Sequence, residues 1–278
     1  MIHPREAQSA AAVAAHYDEL DPFYREVWGE HVHHGYWRTG GETPEEATRA
    51  LVDLVAERLA LRPGLVVGDV GCGYGATAAI LAEEHRVQVT GLTLSAVQAA
   101  HAVERSGRVR IRVGDWLANG LPDATFDRLL SVESSEHMES KARFFAEAHR
   151  TLRPGGRMVI CAWLAGEGAR PWEVRHLLEP ICREGRLPSL GTEGEYRALA
   201  QAAGFRVAEF EDISREVRAT WTVCLRRVVA GLATDPRYRR YLVDGRAQDR
   251  AFALTLLRLW TAYRTGAMRY GVFTLDRP

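Results

Sequence analysis

Val66–Ala78 reads VVGDVGCGYGATA, and this stretch decides the fold. An apolar run that reads as a buried strand carries Asp69 and then three alternating glycines, Gly71, Gly73 and Gly75. Without a Cβ the chain can turn sharply there and admit a ligand close to its backbone. The helix expected next offers free N–H groups and the positive end of its dipole. Such a crevice suits a nucleoside-bearing cofactor.

A dinucleotide site asks for G-x-G-x-x-G and an acidic residue closing the following strand. Here the spacing is G-x-G-x-G, and Val87–Thr93 (VQVTGLT) ends on Thr93 with no carboxylate beside it. Asp69 instead stands where it can meet an amino-acid end of the cofactor, directly or through water. This arrangement resembles the first motif of class I S-adenosylmethionine methyltransferases. Four further stretches follow in order: GLTLSAVQ (91–98), GDW (114–116), SVESSEHMESK (131–141) and PGGRMVICAW (154–163). Together they resemble the gamma-tocopherol methyltransferase-like family, whose relatives include the cyclopropane fatty acid and mycolic acid enzymes. The resemblance runs from about Tyr17 to about Phe210, and more loosely over Met268–Phe273.

From Leu65 onward strand and helix patterns alternate, which predicts an α/β fold with a doubly wound, mostly parallel seven-stranded sheet. Strands are expected near 65–70, 87–93, 109–114, 126–132, 156–163, 205–211 and 270–275, with Pro154-Gly155-Gly156 as the turn launching the fifth. Helices are expected near 8–20, 43–60, 75–84, 95–105, 140–152, 193–203, 215–233 and 247–265. Thr43, Pro44 and Glu46 supply a capping box for the second of these. The chain of 278 residues reads as one domain: an N-terminal helical cover (1–60), a cofactor-binding core (61–163), a Gly/Pro-rich lid insertion (164–192) and acceptor-side helices completing the core (193–278).

Thirty-six basic residues balance 36 acidic ones, so no global field recruits nucleic acid or an anionic membrane. Only Lys141 among the basic residues is lysine. The four cysteines are dispersed, without metal-ligand spacing, and fit reduced thiols in a cytoplasmic protein. No apolar run has the length of a membrane span. A small-molecule acceptor is the expected partner, and the alanine-rich N-terminal helix leaves room for a homo-oligomer.

The resemblance implies a site. Asp69, Gly71 and Gly73 should surround the methionine and ribose end of S-adenosylmethionine, with Thr93, Leu94 and Gln98 at the ribose. Asp115 should accept from the adenine amino group and Trp116 pack on the base, although core packing explains a tryptophan as well. The backbone at Ser131 should meet the ammonium. FYREVWGEHVHHGYW (23–37) resembles the family's cover, so Tyr17, His34 and Tyr36 should close on the sulfonium and carboxylate. Its three histidines lack the pattern of a zinc site. Glu136-His137 follows the fourth strand at the sheet's carboxyl edge and is the candidate catalytic element. An imidazole with an ordinary pKa near ~6.5 suits His137 to accept a proton or orient the acceptor. Glu133 and Glu136 could orient it or take the proton themselves, and two carboxylates in one pocket should raise each other's pKa. The expected activity is methyl transfer to a phenolic, quinone, isoprenoid or indole metabolite in secondary metabolism. The alternative is a cyclase that keeps the cofactor as scaffold.

Overall fold

In the computed structural model, which describes residues 1–28, 31–102, 107–243 and 252–278, Val66–Val70 forms a buried strand (β1) at the middle of the sheet. Its partners are β2 (Gln88–Thr93) on one side and β4 (Phe126–Val132) on the other, both parallel. β3 (Val109–Val113) lies outside β2, and β5 (Leu152–Ala165) outside β4. β7 (Met268–Asp276) inserts antiparallel between β5 and β6 (Arg206–Asp212), giving the order 3-2-1-4-5-7-6. The chain therefore reverses its direction of winding between β1 and β4. A ligand crevice opens there, beyond the carboxyl ends of the strands.

Helices cover both faces. α1 (Ala10–Val27) lies across the crevice, against α4 (Ala96–Ala102) and α10 (Ala219–Thr234). α2 (Pro44–Leu59) starts in the expected capping box and buries Leu51, Val55 and Leu59 against the sheet together with α3 (Ala76–Glu84). α2 thus belongs to the layer on the sheet and not to the covering of the crevice. On the opposite face α5 (Lys141–Thr151) and α8 (Glu193–Ala202) enclose Phe144, Phe145 and Tyr196 with Met158 and Ile160 of β5.

Between β5 and α8 the expected insertion is helical: α6 (Pro171–Glu173), a π-turn (Val174–Leu178) and α7 (Glu179–Glu184) run on without a break. After β6 come α9 (Ser214–Val217), α10, α11 (Pro236–Val243) and α12 (Phe252–Thr265). No helix among the described residues is long and apolar enough to cross a membrane.

Three expectations change. β5 begins at Leu152, before Pro154-Gly155-Gly156, because those residues form a bulge within the strand: Phe126 pairs with Leu152, and the next pair is Arg128 with Arg157. Gly155 takes φ +74°, which lets the bulge form. α1 continues to Val27, past the expected end at 20. The expected helix 215–233 divides into α9 and α10 at Arg218. Residues 103–105 of one expected helix and 247–251 of another lie outside the described residues.

Candidate active site

The turn after β1 makes the floor of the crevice. Gly71 has φ +80°, and a Cβ there would run into the side chain of Ser134, so the loops after β1 and β4 can touch only across a glycine. α3 begins at Gly75 with no side-chain cap, leaving its first N–H groups unclaimed by a side chain. A cavity with about 680 Å³ of empty space, part of it open to solvent, follows the carboxyl edge from this turn to α4. Gly71, Gly73, Thr93, Leu94, Gln98 and Asp115 all line it, as expected. Thr93 Oγ1 donates to Gln98 Oε1 at 2.8 Å, which fixes both side chains. Asp115 uses one carboxylate oxygen to cap the turn Trp116–Ala118 through the Leu117 N–H at 2.8 Å. Trp116 packs in the core and also reaches the cavity. It is 2 % exposed and donates to Phe144 O at 3.3 Å.

Across the glycine turn lies a smaller compartment bordered by His31, His33, Asp69, Cys72 and Thr77. Asp69 is 3 % exposed, and its Oδ2 has no hydrogen-bond partner among the described residues. Burial pushes its carboxyl up to about 7. His33 Nδ1 donates to His34 O at 2.9 Å, so Nε2 is left as an acceptor, and it too is buried without a partner. Burial holds this imidazole below its ordinary range and hence neutral. Two orphaned acceptors facing one compartment suit a group with several N–H donors, such as an ammonium.

On its other side the large cavity adjoins a second, with about 550 Å³ of empty space that is also partly open to solvent, and Tyr17, Val32, Glu133 and His137 line both. The remaining wall of this second cavity is mainly apolar, from Trp28, Trp163, Ile181, Leu187, Trp221 and Leu259. Tyr17 donates its hydroxyl to His137 Nε2 at 3.0 Å, while His137 Nδ1 donates to Arg186 O at 3.4 Å. Burial, assisted by His16, lowers His137 to about 3. It is therefore a neutral acceptor at physiological pH and a weaker base than its residue type suggests. Burial raises the Tyr17 phenol, with Glu136 and Glu133 adding to the effect.

The two carboxylates are driven apart rather than raised together. Burial alone would lift Glu133, but the charge and hydrogen bonds of His34 outweigh it and bring Glu133 down to about 2. Its Oε1 accepts from the His34 N–H at 2.7 Å, His34 Nδ1 at 2.9 Å and the Tyr270 hydroxyl at 2.8 Å. Oε2 accepts from Trp163 Nε1 at 2.8 Å. Glu136 borders only the second cavity. Burial pushes it up to about 7 against the Trp163 N–H, which donates to Oε1 at 2.5 Å. Lys141 donates to the carbonyls of Glu136 and Met138 at 2.9 and 3.0 Å, and so locks the turn that carries Glu136 and His137.

Three expected residues stand elsewhere. His34 is 1 % exposed and lies behind Glu133, among Trp163, Trp221, Tyr263 and Tyr270, and it lines none of these three cavities. Tyr36 is drawn away by the bond from its N–H to Ala47 O at 2.7 Å, and its phenol is raised by burial and by Glu211 and Glu216. Ser131 remains inside the sheet, bonded to Ser134 Oγ at 2.8 Å, while Val132 and Glu133 carry the strand end into the cavity. His33 and Lys141 were not among the expected site residues. Lys141 carried a signal, being the one lysine in an arginine-rich chain. His33 had none beyond its place beside His34.

The sequence pattern of the mycolic acid cyclopropane synthetase family matches residues 4–233. The chain belongs to this family of S-adenosylmethionine-dependent methyltransferases. A tocopherol O-methyltransferase of Arabidopsis thaliana is 29 % identical over 305 residues, covering 96 % of this methyltransferase and 82 % of the relative. The crystal structure of the [4+2]-cyclase SpnF superposes with a TM-score of 0.82 at 27 % identity, covering 100 % of this chain and 99 % of that one. A mycolic acid cyclopropane synthase complexed with SAH and CTAB superposes with a TM-score of 0.84 at 25 % identity, covering 98 % and 99 %. The methyl donor is S-adenosylmethionine. The orphaned acceptors of Asp69 and His33, the open space beside Gly73 and the pair Thr93–Gln98 fit such a group.

Proposed function

We propose that this methyltransferase methylates a hydroxyl oxygen of a largely apolar, phenolic or isoprenoid-bearing metabolite, and that Glu136 accepts the hydroxyl proton. The observation that carries the reading is the wall shared by the two cavities. A donor in the first can meet an acceptor in the second only past Tyr17, Val32, Glu133 and His137. When bound, S-adenosylmethionine supplies an activated methyl on a sulfonium. The protein's own task is then to hold the donor, align the acceptor, exclude water and receive a proton. Asp69 and His33 hold the ammonium, Thr93 and Gln98 the ribose, and Asp115 and Trp116 the base. Tyr17, braced by His137, orients the acceptor oxygen. Glu136 has a proton affinity near neutrality and lies in the acceptor cavity, so it suits the base role better than His137. The tocopherol enzyme, which methylates oxygen, supports an acceptor of this class.

The test is S-adenosylhomocysteine release with phenol, isoprenoid diphosphate and indole acceptors, each product weighed for one added methylene. Glu136→Gln should lower kcat by about 10²-fold or more, with donor Kd within about twofold. His137→Ala should act in the same direction, more weakly. With donor saturating, the wild-type kcat/KM for the acceptor should rise with pH through about 7 as Glu136 loses its proton, and that limb should vanish in Glu136→Gln. Equal losses of rate and donor affinity would remove Glu136 from the chemistry. A second reading, a cyclase that retains the cofactor, is favoured by the overlap with SpnF along the whole chain. It predicts product without S-adenosylhomocysteine release.

A further inference from the structure

We infer that Glu133 is a permanently charged carboxylate that makes the site prefer the sulfonium donor over its neutral thioether product, with His34, Trp163 and Tyr270 as its positioning residues. This rests on the methyl-transfer reading of the two cavities. Four donors converge on the carboxylate, three on Oε1 and one on Oε2. Oε1 alone accepts three of these bonds, which suits an ionised oxygen better than a neutral carbonyl, so the cradle favours the anion. The backbone supports the same conclusion. β4 ends at Val132, and Glu133 turns into the left-handed region at φ +52°, a conformation that costs a non-glycine residue roughly 1 kcal/mol or more. That strained turn carries the side chain to the wall between the cavities.

Of the four residues common to both cavities, Glu133 alone carries a formal negative charge. The transferred methyl must cross this wall, and the sulfur is one bond behind it. A sulfonium that presents its methyl at this wall would face the Glu133 charge, and the sulfur of the product would face it too. Sulfonium and thioether share every other group of the ligand. The ammonium, ribose and base contacts cancel in the ratio of their affinities. The fixed charge acts on the donor alone.

Isothermal titration of the full chain with S-adenosylmethionine and with S-adenosylhomocysteine reads this ratio directly, without turnover. The wild type should bind the donor at least roughly 10-fold more tightly than the product. Glu133→Gln keeps the shape and most hydrogen bonds. It should weaken donor binding by about 10- to 100-fold and leave product binding within about threefold. Glu136→Gln, one turn along and outside the donor cavity, should leave the ratio unchanged. Equal weakening of both ligands by Glu133→Gln would overturn the inference while the methyl-transfer reading stands. If Glu133→Gln does not fold, the wild-type ratio decides, and equal affinities or a preference for the product overturn the inference. Binding of neither ligand by the folded wild type would overturn the underlying reading as well.

Discussion

Asp69 shows what one buried carboxylate can be asked to do. With Oδ2 unpartnered and its pKa near 7, it is largely protonated below neutrality while the crevice is empty. An ammonium beside it favours the ionised form, so binding must expel the proton. The sign follows. Donor affinity should rise with pH, by up to about tenfold per unit below ~7, and level off above. Titration at pH 6 in buffers of different ionisation enthalpy should register proton release, which Asp69→Asn should abolish along with at least about tenfold of affinity. Release that persists in Asp69→Asn would place the titrating group elsewhere. At this scale the sequence was legible as to which residues border the crevice: Gly71 through its backbone, Thr93 and Asp115 through local side-chain bonds. It misled by one residue at His33 and His34, because which of two neighbouring imidazoles faces the ligand depends on tertiary bonds to Glu133 and to the His34 carbonyl.

At the scale of elements, the alternation of strand and helix was legible because each parallel strand is a short apolar run between turn residues. What escaped is what local pattern does not encode. The bulge at 153–156 depends on pairing with β4, and α11 is short, carries many charges and is held from outside by Tyr238 reaching Glu26 at 3.1 Å. The insertion could be seen as a break in rhythm, but its attachment could not. Glu184 at the end of α7 accepts from Thr255 Oγ1 and Arg258 Nη1 of α12, and so ties the insertion to the C-terminal helices. Thr255 and Leu259 of α12 and Gly185 beyond α7 line the second cavity, where we propose the acceptor binds, so this clamp should set its width. Glu184→Ala should cost about 1–3 kcal/mol of stability and raise acceptor KM severalfold, with donor Kd unchanged. A urea unfolding curve and steady-state kinetics would check both; a shift in donor Kd instead would deny the clamp this local role.

For the molecule as a whole, α1 is the part that couples the crevice to the rest of the structure. Tyr17, Asp18 and Asp21 reach three separate loops: His137 beyond β4 at 3.0 Å, Ser95 beyond β2 at 2.5 Å and Tyr74 beyond β1 at 2.7 Å. A fourth link joins the Ala10 N–H to Glu139 at 2.7 Å. These links strap the helix over the carboxyl ends of the very strands whose loops form the donor cavity, and Val13 and Tyr17 form part of its lining. A ligand in this cavity would rest against Val13 and Tyr17, so binding should oppose lifting of the strap. Tyr17, Ser95 and His137 of these links line the cavity itself, so occupancy should stiffen the strap further. Hydrogen exchange with saturating S-adenosylmethionine should slow amides of 10–27 and 131–138 by about 100-fold at 100 Kd, if their exchange requires release of the ligand. Amides of β6 and β7, on the far side of the sheet, should change much less as long as they exchange through local openings. Protection spread evenly over the sheet would mean that the ligand acts only on global unfolding. Protection that spares α1 would mean that the donor enters by another route, and the coupling argued from Tyr17, Asp18 and Asp21 would fail with it.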